Sequence, residues 1–329
     1  MKRIARKLFP KLYLFLALVK YEVYDEYMDL KKNNLCMVSL YKYIINYFFY
    51  GATPIEFNFL NFRNLNRLGK NNFVTMRRNR KIEKYNDPKA KEILCAKEKF
   101  NNYFSEFIKR KWIYITPETT YAEIENFYNS LTEKRFIIKP NSKYYGLGIS
   151  IGTTMEEFKE QIKVGEIIVE EIVKNHECIA QLNPTSLNTI RVVTALDNNN
   201  IPHIVAMTLR TGGKGEVIDN ARGGGSFYHI DKETGIVDSQ GYDTSCNSYT
   251  LHPTSNIVMP GYKIPRFEEV IQYSKKLALK LPKARFVGWD IAVTDDGIEV
   301  IEGNHAPGAN IMQSDKVGVY KIVKGYLDK

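Results

Sequence analysis

GWDIAVTDDGIEVIEGNHAPG, residues 288–308, is the stretch whose reading decides the fold. Asp295-Asp296-Gly297 predicts a three-residue hairpin loop, a type I turn whose last residue is left-handed, a conformation glycine adopts without steric cost. With Thr294 paired to Ile298, Ala292 opposes Val300 and Asp290 opposes Glu302. Side chains alternate faces along a strand, so Asp290, Glu302 and Asn304 project to one side. Two carboxylates opposed on one ladder repel. A hard cation between them removes that cost, and two carboxylates plus an amide oxygen suit Mg²⁺ shared with nucleotide phosphates. The apolar neighbours Trp289, Ile291, Val293, Val300 and Ile301 predict a central hairpin rather than a solvent-washed one carrying only surface charge.

Upstream segments supply groups that fit phosphate. FIIKPNSKYYGLG (136–148) puts Lys139 at a strand end, ahead of a loop containing Tyr145, Gly146 and Gly148. An ammonium is a point charge suited to phosphate, and glycines let backbone N–H groups approach phosphoryl oxygens. Arg191 in NTIR (188–191), Arg210 and the segment DNARGGGS (219–226) follow. Cationic groups and backbone N–H groups are what a migrating phosphoryl requires. We assign Arg191 and Arg210 to that group, with Asn220, Gly223, Gly224 and Gly225 lining a substrate side. A serine-hydrolase reading of GGGS fails because no G-x-S-x-G elbow is present. His305 lies inside the EGN–PG segment, where it either touches substrate or is structural.

An Asp, a hairpin, then Glu-x-Asn followed closely by Pro-Gly resembles the metal-binding end of the ATP-grasp superfamily. That resemblance implies two magnesium ions on the phosphates of ATP, held by Asp290, Glu302 and Asn304. It also implies that Lys139 touches ATP and that residues 141–148 close over the phosphates. VEEIVKNHE (169–177) is similar to the family's nucleotide segment, implying Glu170 and the backbone of Glu171, Ile172 and Val173 on adenine, and Glu177 on ribose. An earlier lysine is expected on the preceding helix; in CAKEKFNNYF (95–104) Lys97 fits better than Lys99. One departure stands out: many ATP-grasp ligases carry an arginine two positions before the metal Asp, where this chain has Gly288, so either Arg210 or Arg191 takes over that charge or the phosphate chemistry is altered. The set NTIRVVT, GGG, GWDIAVTDDG and EGNHAPG resembles a narrower group, the ATP-grasp proteins associated with sugar transfer and polysaccharide biosynthesis.

Around these motifs, 329 residues with a 44% apolar fraction predict a folded chain with a substantial core. The sequence predicts helices over Leu35–Tyr50, Ala90–Lys111, from Thr154 (a capping box with Glu157) to about Lys163, and over Arg266–Leu281. Strands are expected over Arg135–Lys139, Gly148–Gly152, Ile167–Val173, Ile190–Leu196, Ile201–Leu209, Val287–Thr294 and Ile298–Glu302. Helices and strands mix without β-α-β alternation, so the fold class is α+β. The resemblance makes it an ATP-grasp fold of two β-rich lobes clamping ATP. The expected organisation is a helical basic region (1–111), a small lobe with a glycine lid (112–175) and a C-terminal lobe with metal and substrate sites (176–329).

Residues 1–111 hold 24 Lys/Arg against 10 Asp/Glu, a net +14, and the remainder 23 against 27, a net −4. So basic a front half suits nucleic acid, anionic lipid or an acidic polymer, or is simply a solvated face. No RRM, KH or helix-turn-helix signature supports nucleic acid. The apolar stretch Leu8–Val19 is too short and too broken by Pro10 and Lys11 to span a bilayer, leaving a surface-lying amphipathic helix or a packing helix. The four dispersed cysteines read as free thiols in a reducing compartment.

The resemblance implies an ATP- and Mg-dependent carboxylate–amine ligase working through an acyl phosphate. Its substrates would be a small carboxylate and an amine, possibly glycan-linked, and its setting the cytoplasm at or near the inner membrane face. The basic region would contact a membrane or a glycosyltransferase. A kinase-like outcome and a catalytically silent nucleotide-binding subunit are the alternatives.

Overall fold

The computed structural model describes residues 16–142, 148–160, 165–215 and 224–329. Tyr145, Gly146, Asn220 and Gly223 lie outside the described residues. So do most of the Leu8–Val19 stretch and the end of the helix expected from Thr154.

Two antiparallel sheets organise the chain. The smaller has the order β1-β4-β2-β3, from β1 (Trp112–Ile115), β2 (Phe136–Pro140), β3 (Ser150–Gly152) and β4 (Ile167–Glu171). Helices Tyr121–Ser130 and Met155–Glu160 pack on it around Ile115, Ile124, Phe136, Phe158 and Val169. The second helix starts where its capping box predicts: Thr154 Oγ1 accepts from Glu157 N at 3.2 Å, and Thr154 N donates back to the Glu157 carboxylate at 3.0 Å.

The larger sheet has the order β11-β10-β5-β6-β7-β8-β9. Its centre is β5 (Thr189–Leu196), buried at every position, flanked by β10 (Phe286–Thr294) and β6 (Pro202–Thr211). Outside these lie β11 (Gly297–Asn304) on one edge, and β7 (Ser226–Ile230), β8 (Gly241–Tyr242) and β9 (Ser248–Tyr249) on the other. One face packs Val192, Trp289 and Ile291 against Val270 and Leu277 of the amphipathic helix Phe267–Lys280. The opposite face packs Val193 and Phe286 against Met312 and Val323, the latter on helix Tyr320–Leu327.

Ahead of the sheets the chain is helical, with its own aromatic cluster of Tyr43, Tyr47, Phe57, Phe62 and Phe73. That cluster reaches the larger sheet where Phe59 packs on Phe227 and Tyr242, at ring distances of 5.8 and 5.3 Å.

Three local expectations are corrected. The helix expected over Leu35–Tyr50 begins only at Leu40, after Ser39 in extended backbone, and stops as predicted at Gly51. The helix expected over Ala90–Lys111 is two, Pro88–Cys95 and Lys97–Tyr103, broken at Ala96 in extended backbone. The break has a tertiary cause: Lys97 N and Glu98 N donate to the carbonyl and side-chain oxygens of Asn141, at 3.3 and 3.0 Å, so a residue just past β2 caps the second helix. The hairpin tip is one residue tighter than expected. Thr294 pairs with Gly297, whose φ is +134°, and Ile291 with Val300. A bulge between Asp290 and Ile291 then absorbs the difference, so Asp290 still opposes Glu302.

Candidate active site

The central chemistry lies where β10, β11, β5 and β6 run side by side. Asp290 is paired with Glu302 on one side and with Arg191 on the other. Asn304 Nδ2 donates to Asp290 Oδ2 at 3.4 Å and to Glu302 Oε1 at 3.2 Å, so the three side chains converge. Arg191 grips both Asp290 oxygens, Nε on Oδ1 and Nη2 on Oδ2 at 2.8 Å, while its Nη1 donates to Pro307 O at 2.9 Å. Arg210, at the end of β6, adds Nη1 to Asp290 Oδ2 at 2.8 Å.

Charge sets the two acids apart. Burial acts to raise the Asp290 carboxyl, but Arg191 and Arg210 outweigh it and hold it well below the usual carboxylate range. Burial, then the Asp290 charge, pushes Glu302 up, and the arginines only partly offset this. The donor set is oxygen-only, and the residual repulsion on Glu302 is what a divalent cation relieves, so the residues fit Mg²⁺. Any cation drawn to Asp290 Oδ2 competes with Arg210 for it.

Gly288 now has a physical reason. A Cβ built there would lie 2.6 Å from Pro307 Cβ and 2.9 Å from Arg191 Cδ. The space of a side chain two positions before Asp290 is filled by Arg191 reaching across from the neighbouring strand.

The smaller sheet and the helix Lys97–Tyr103 each bring a lysine. Lys139 on β2 donates to Glu170 on β4, and Lys97 Nζ donates to Pro140 O at 3.1 Å. Burial lowers the Lys97 pKa; Glu302 works against that shift and Lys139 adds to it, so Lys97 shares the field of the acid pair. Lys99 instead lies 3.8 Å from Glu92 and is half exposed. Of the two, Lys97 faces the cleft.

Glu170 is fully enclosed, and its other oxygen accepts from Asn101 Nδ2 and Arg110 Nη2, both at 3.0 Å. Arg110 continues to Glu299 on β11, Nη1 to Oε1 at 2.8 Å, and to Val300 O at 2.9 Å. A buried chain Lys139–Glu170–Arg110–Glu299 therefore ties the two sheets together behind the cleft. The sequence reading missed Arg110: it sits in a run of three cations, Lys109-Arg110-Lys111, and nothing local marks the middle one as buried.

The remaining candidates scatter. Glu171 anchors the end of β4, its N–H donating to Lys111 O at 2.9 Å, and Ile172 and Val173 follow half-buried. Glu177 is exposed and sits at the hairpin tip, its N–H donating to Asp295 Oδ1 at 3.3 Å, away from the acid pair. His305 faces Glu83, 3.8 Å away, rather than the acids. Gly148 and Gly224 are exposed, and Gly225 is buried just ahead of Ser226, which pairs with Thr211 beside Arg210. Among the described residues no cluster of three or more His, Cys, Asp or Glu forms a metal site; the candidate ligands are two acids and an amide.

Residues 160–322 match a family model described as sugar-transfer associated ATP-grasp. Similar solved structures include an ADP complex of the N5-carboxyaminoimidazole ribonucleotide synthetase PurK (11% identity, TM-score 0.49, covering 76% of this chain and 57% of that one). VanG D-Ala:D-Ser ligase from Enterococcus faecalis gives 15% identity and a TM-score of 0.49 over 73% and 64% of the two chains. D-alanyl-alanine synthetase A from Vibrio cholerae gives 13% and 0.47 over 74% and 68%. The chain thus spans little more than half of the PurK chain's length. No curated protein matches it.

Proposed function

We infer the function of this chain from the sugar-transfer associated ATP-grasp family, to which it belongs through residues 160–322. The reading is an ATP- and Mg-dependent carboxylate–amine ligase that releases ADP and works through an acyl phosphate. The observation that supports it most is the convergence of Asp290, Glu302 and Asn304 with Arg191, Arg210 and Lys97 beside the strand end that carries Lys139.

A substrate carboxylate oxygen attacks the γ-phosphorus of ATP, the bond to the β,γ-bridging oxygen breaks, and ADP departs with that electron pair. An amine then attacks the acyl carbon, loses a proton, and expels inorganic phosphate, leaving an amide. Lys97 and Lys139 neutralise phosphate charge from the small-sheet side of the cleft. Arg210, released from Asp290 Oδ2, meets the negative charge that builds on the transferring group. Arg191 holds the Asp290 carboxylate ionised and oriented. Asp290, Glu302 and Asn304 would hold magnesium, two ions in this reading, which supplies Lewis-acid charge to the phosphate oxygens. Arg210 and the Gly224–Gly225 pair flank the substrate side in this reading. The family's tie to sugar transfer supports a sugar acid or amino acid on a glycan or glycan precursor as the substrate class.

The test is ADP release from the full chain with ATP·Mg across paired carboxylate and amine libraries, with products weighed by mass spectrometry. A product equal to the two substrates minus water supports ligation. A product carrying an added phosphate, or nucleotide binding with no ADP from any pair, overturns it.

A further inference from the structure

Past the acid pair the chain turns back on itself, and Gln313 is fully buried in the last turn, Ile311–Gln313. Its side-chain amide makes four hydrogen bonds to backbone. Oε1 accepts from Val74 N at 2.8 Å and from Val319 N at 3.4 Å, and Nε2 donates to Val74 O and to Ala309 O, both at 2.9 Å. An amide offers two lone pairs and two N–H groups, so its capacity is spent. A buried polar group satisfied this completely fixes the backbone around it, because an apolar replacement takes the partner from four buried groups.

Those four groups belong to different parts of the chain. Val74 lies in the helical region, outside the matched residues 160–322. Ala309 stands two residues after Pro307, whose carbonyl accepts from Arg191 Nη1 at 2.9 Å. The other two nitrogens of that guanidinium, Nε and Nη2, hold the two oxygens of Asp290. A guanidinium is a rigid planar fork, so the place of the Pro307 carbonyl sets the plane in which Arg191 meets Asp290.

We propose that Gln313 is a positioning residue for the magnesium site: it ties Val74 to the turn whose Pro307 carbonyl orients Arg191 on Asp290. The helical region then supports the acid pair from behind, besides supplying Lys97 in front. The link to magnesium rests on the ATP-grasp reading above; the coupling of Gln313 to Arg191 does not. Asn72 provides the comparison. It joins the same two parts of the chain, donating to Gly318 O at 2.7 Å and accepting from Lys321 N at 3.3 Å, but beyond the turn.

A double-mutant cycle in urea on the full chain reads the coupling without any ligand. Arg191→Lys keeps a positive charge beside Asp290 and removes the donor to Pro307 O. Its loss in midpoint should fall to about half or less in a Gln313→Met background, where the turn has already shifted, and stay unchanged with Asn72→Ala. Calorimetric titration of a nonhydrolysable ATP analogue, well below the unfolding midpoints, reads the site. Gln313→Met should weaken binding about tenfold in the presence of Mg²⁺ and leave the affinity without Mg²⁺ at the wild-type value. Asn72→Ala should change neither. A glutamine that only stapled the helical region in place would lower the midpoint and move neither reading. Gln313→Glu, which keeps the acceptor oxygen and loses both N–H donors, takes the place of the methionine variant if that one does not fold. Additive midpoints in the cycle, or wild-type magnesium dependence in the Gln313 variant, overturns the proposal. A wild-type chain that binds no analogue overturns the ATP reading instead, and the cycle still decides the coupling.

Discussion

Arg191 and Asp290 stand directly opposite each other on β5 and β10, and the guanidinium of the first contacts both carboxylate oxygens of the second. The contact depends on Gly288, whose missing side chain leaves room for the Arg191 stem. Gly288→Ala should therefore push Arg191 off Asp290, lose about 1–3 kcal/mol of stability to overpacking, and weaken Mg-dependent binding of a nonhydrolysable ATP analogue about tenfold. Gly325→Ala, where a Cβ meets nothing within 4 Å, is the control. Calorimetric titration reads both; equal affinities would detach Arg191 from the nucleotide site.

The two acids predict unequal stability effects. Asp290→Asn leaves Arg191 and Arg210 without their counter-charge in a buried site, and should cost about 3–5 kcal/mol. Glu302→Gln removes a carboxylate whose pKa is already raised by burial and by Asp290, so the fold should change by less than about 1 kcal/mol. Both should abolish the magnesium dependence of nucleotide binding. Chemical denaturation next to titration separates the two, and Glu302→Gln with intact magnesium dependence would remove Glu302 from the ligand set.

Much of this was legible in the chain, for reasons that can be named. Period-two alternation put Asp290, Glu302 and Asn304 on one face, and the turn chemistry at Asp295–Gly297 set their register closely enough that a single bulge restored it. What stayed hidden depends on distant partners. The break at Ala96 is set by Asn141, 45 residues on, and no local propensity encodes it. Arg110 resembles its two lysine neighbours until Glu170 and Glu299 enclose it. The contact of Glu177 N with Asp295 Oδ1 at the hairpin tip likewise joins residues 118 positions apart.

Arg110 carries the next prediction. It bridges β4 and β11 through two carboxylates that, like itself, are buried. Arg110→Met leaves Glu299 without its cation and Glu170 with Lys139 alone, and should cost about 3–5 kcal/mol. The Glu170 carboxyl is held well below its usual range because Arg110 and Lys139 outweigh burial. A depressed carboxyl pKa gives stability that is present above the unfolded value near 4.5 and is lost as pH falls below it. The wild type should therefore lose stability steeply below about pH 4.5, and Arg110→Met should lose much less there. Urea midpoints at pH 7 and pH 3.5 check this, and parallel slopes would refute it.

His252 provides a pH effect of a different origin and window. It is buried, with Nε2 2.9 Å from Thr211 Oγ1, while Thr254 N and Ser255 N both donate to Nδ1 at 3.3 Å. Nδ1 is thus an acceptor and the ring is neutral; a proton on Nδ1 would face two N–H groups. Burial lowers its pKa to about 4 from the ordinary value of 6.5. As pH drops through 6.5 the unfolded chain takes up a proton that the folded chain refuses, so stability declines down to about pH 4 and is level below it. The slope is at most about 1.4 kcal/mol per pH unit from this one group. His252→Gln cannot titrate, and its urea midpoint should fall less than that of the wild type between pH 7.5 and pH 5. Identical declines would mean that His252 accepts its proton as readily in the folded chain as in the unfolded one, and the neutral-ring assignment would be wrong.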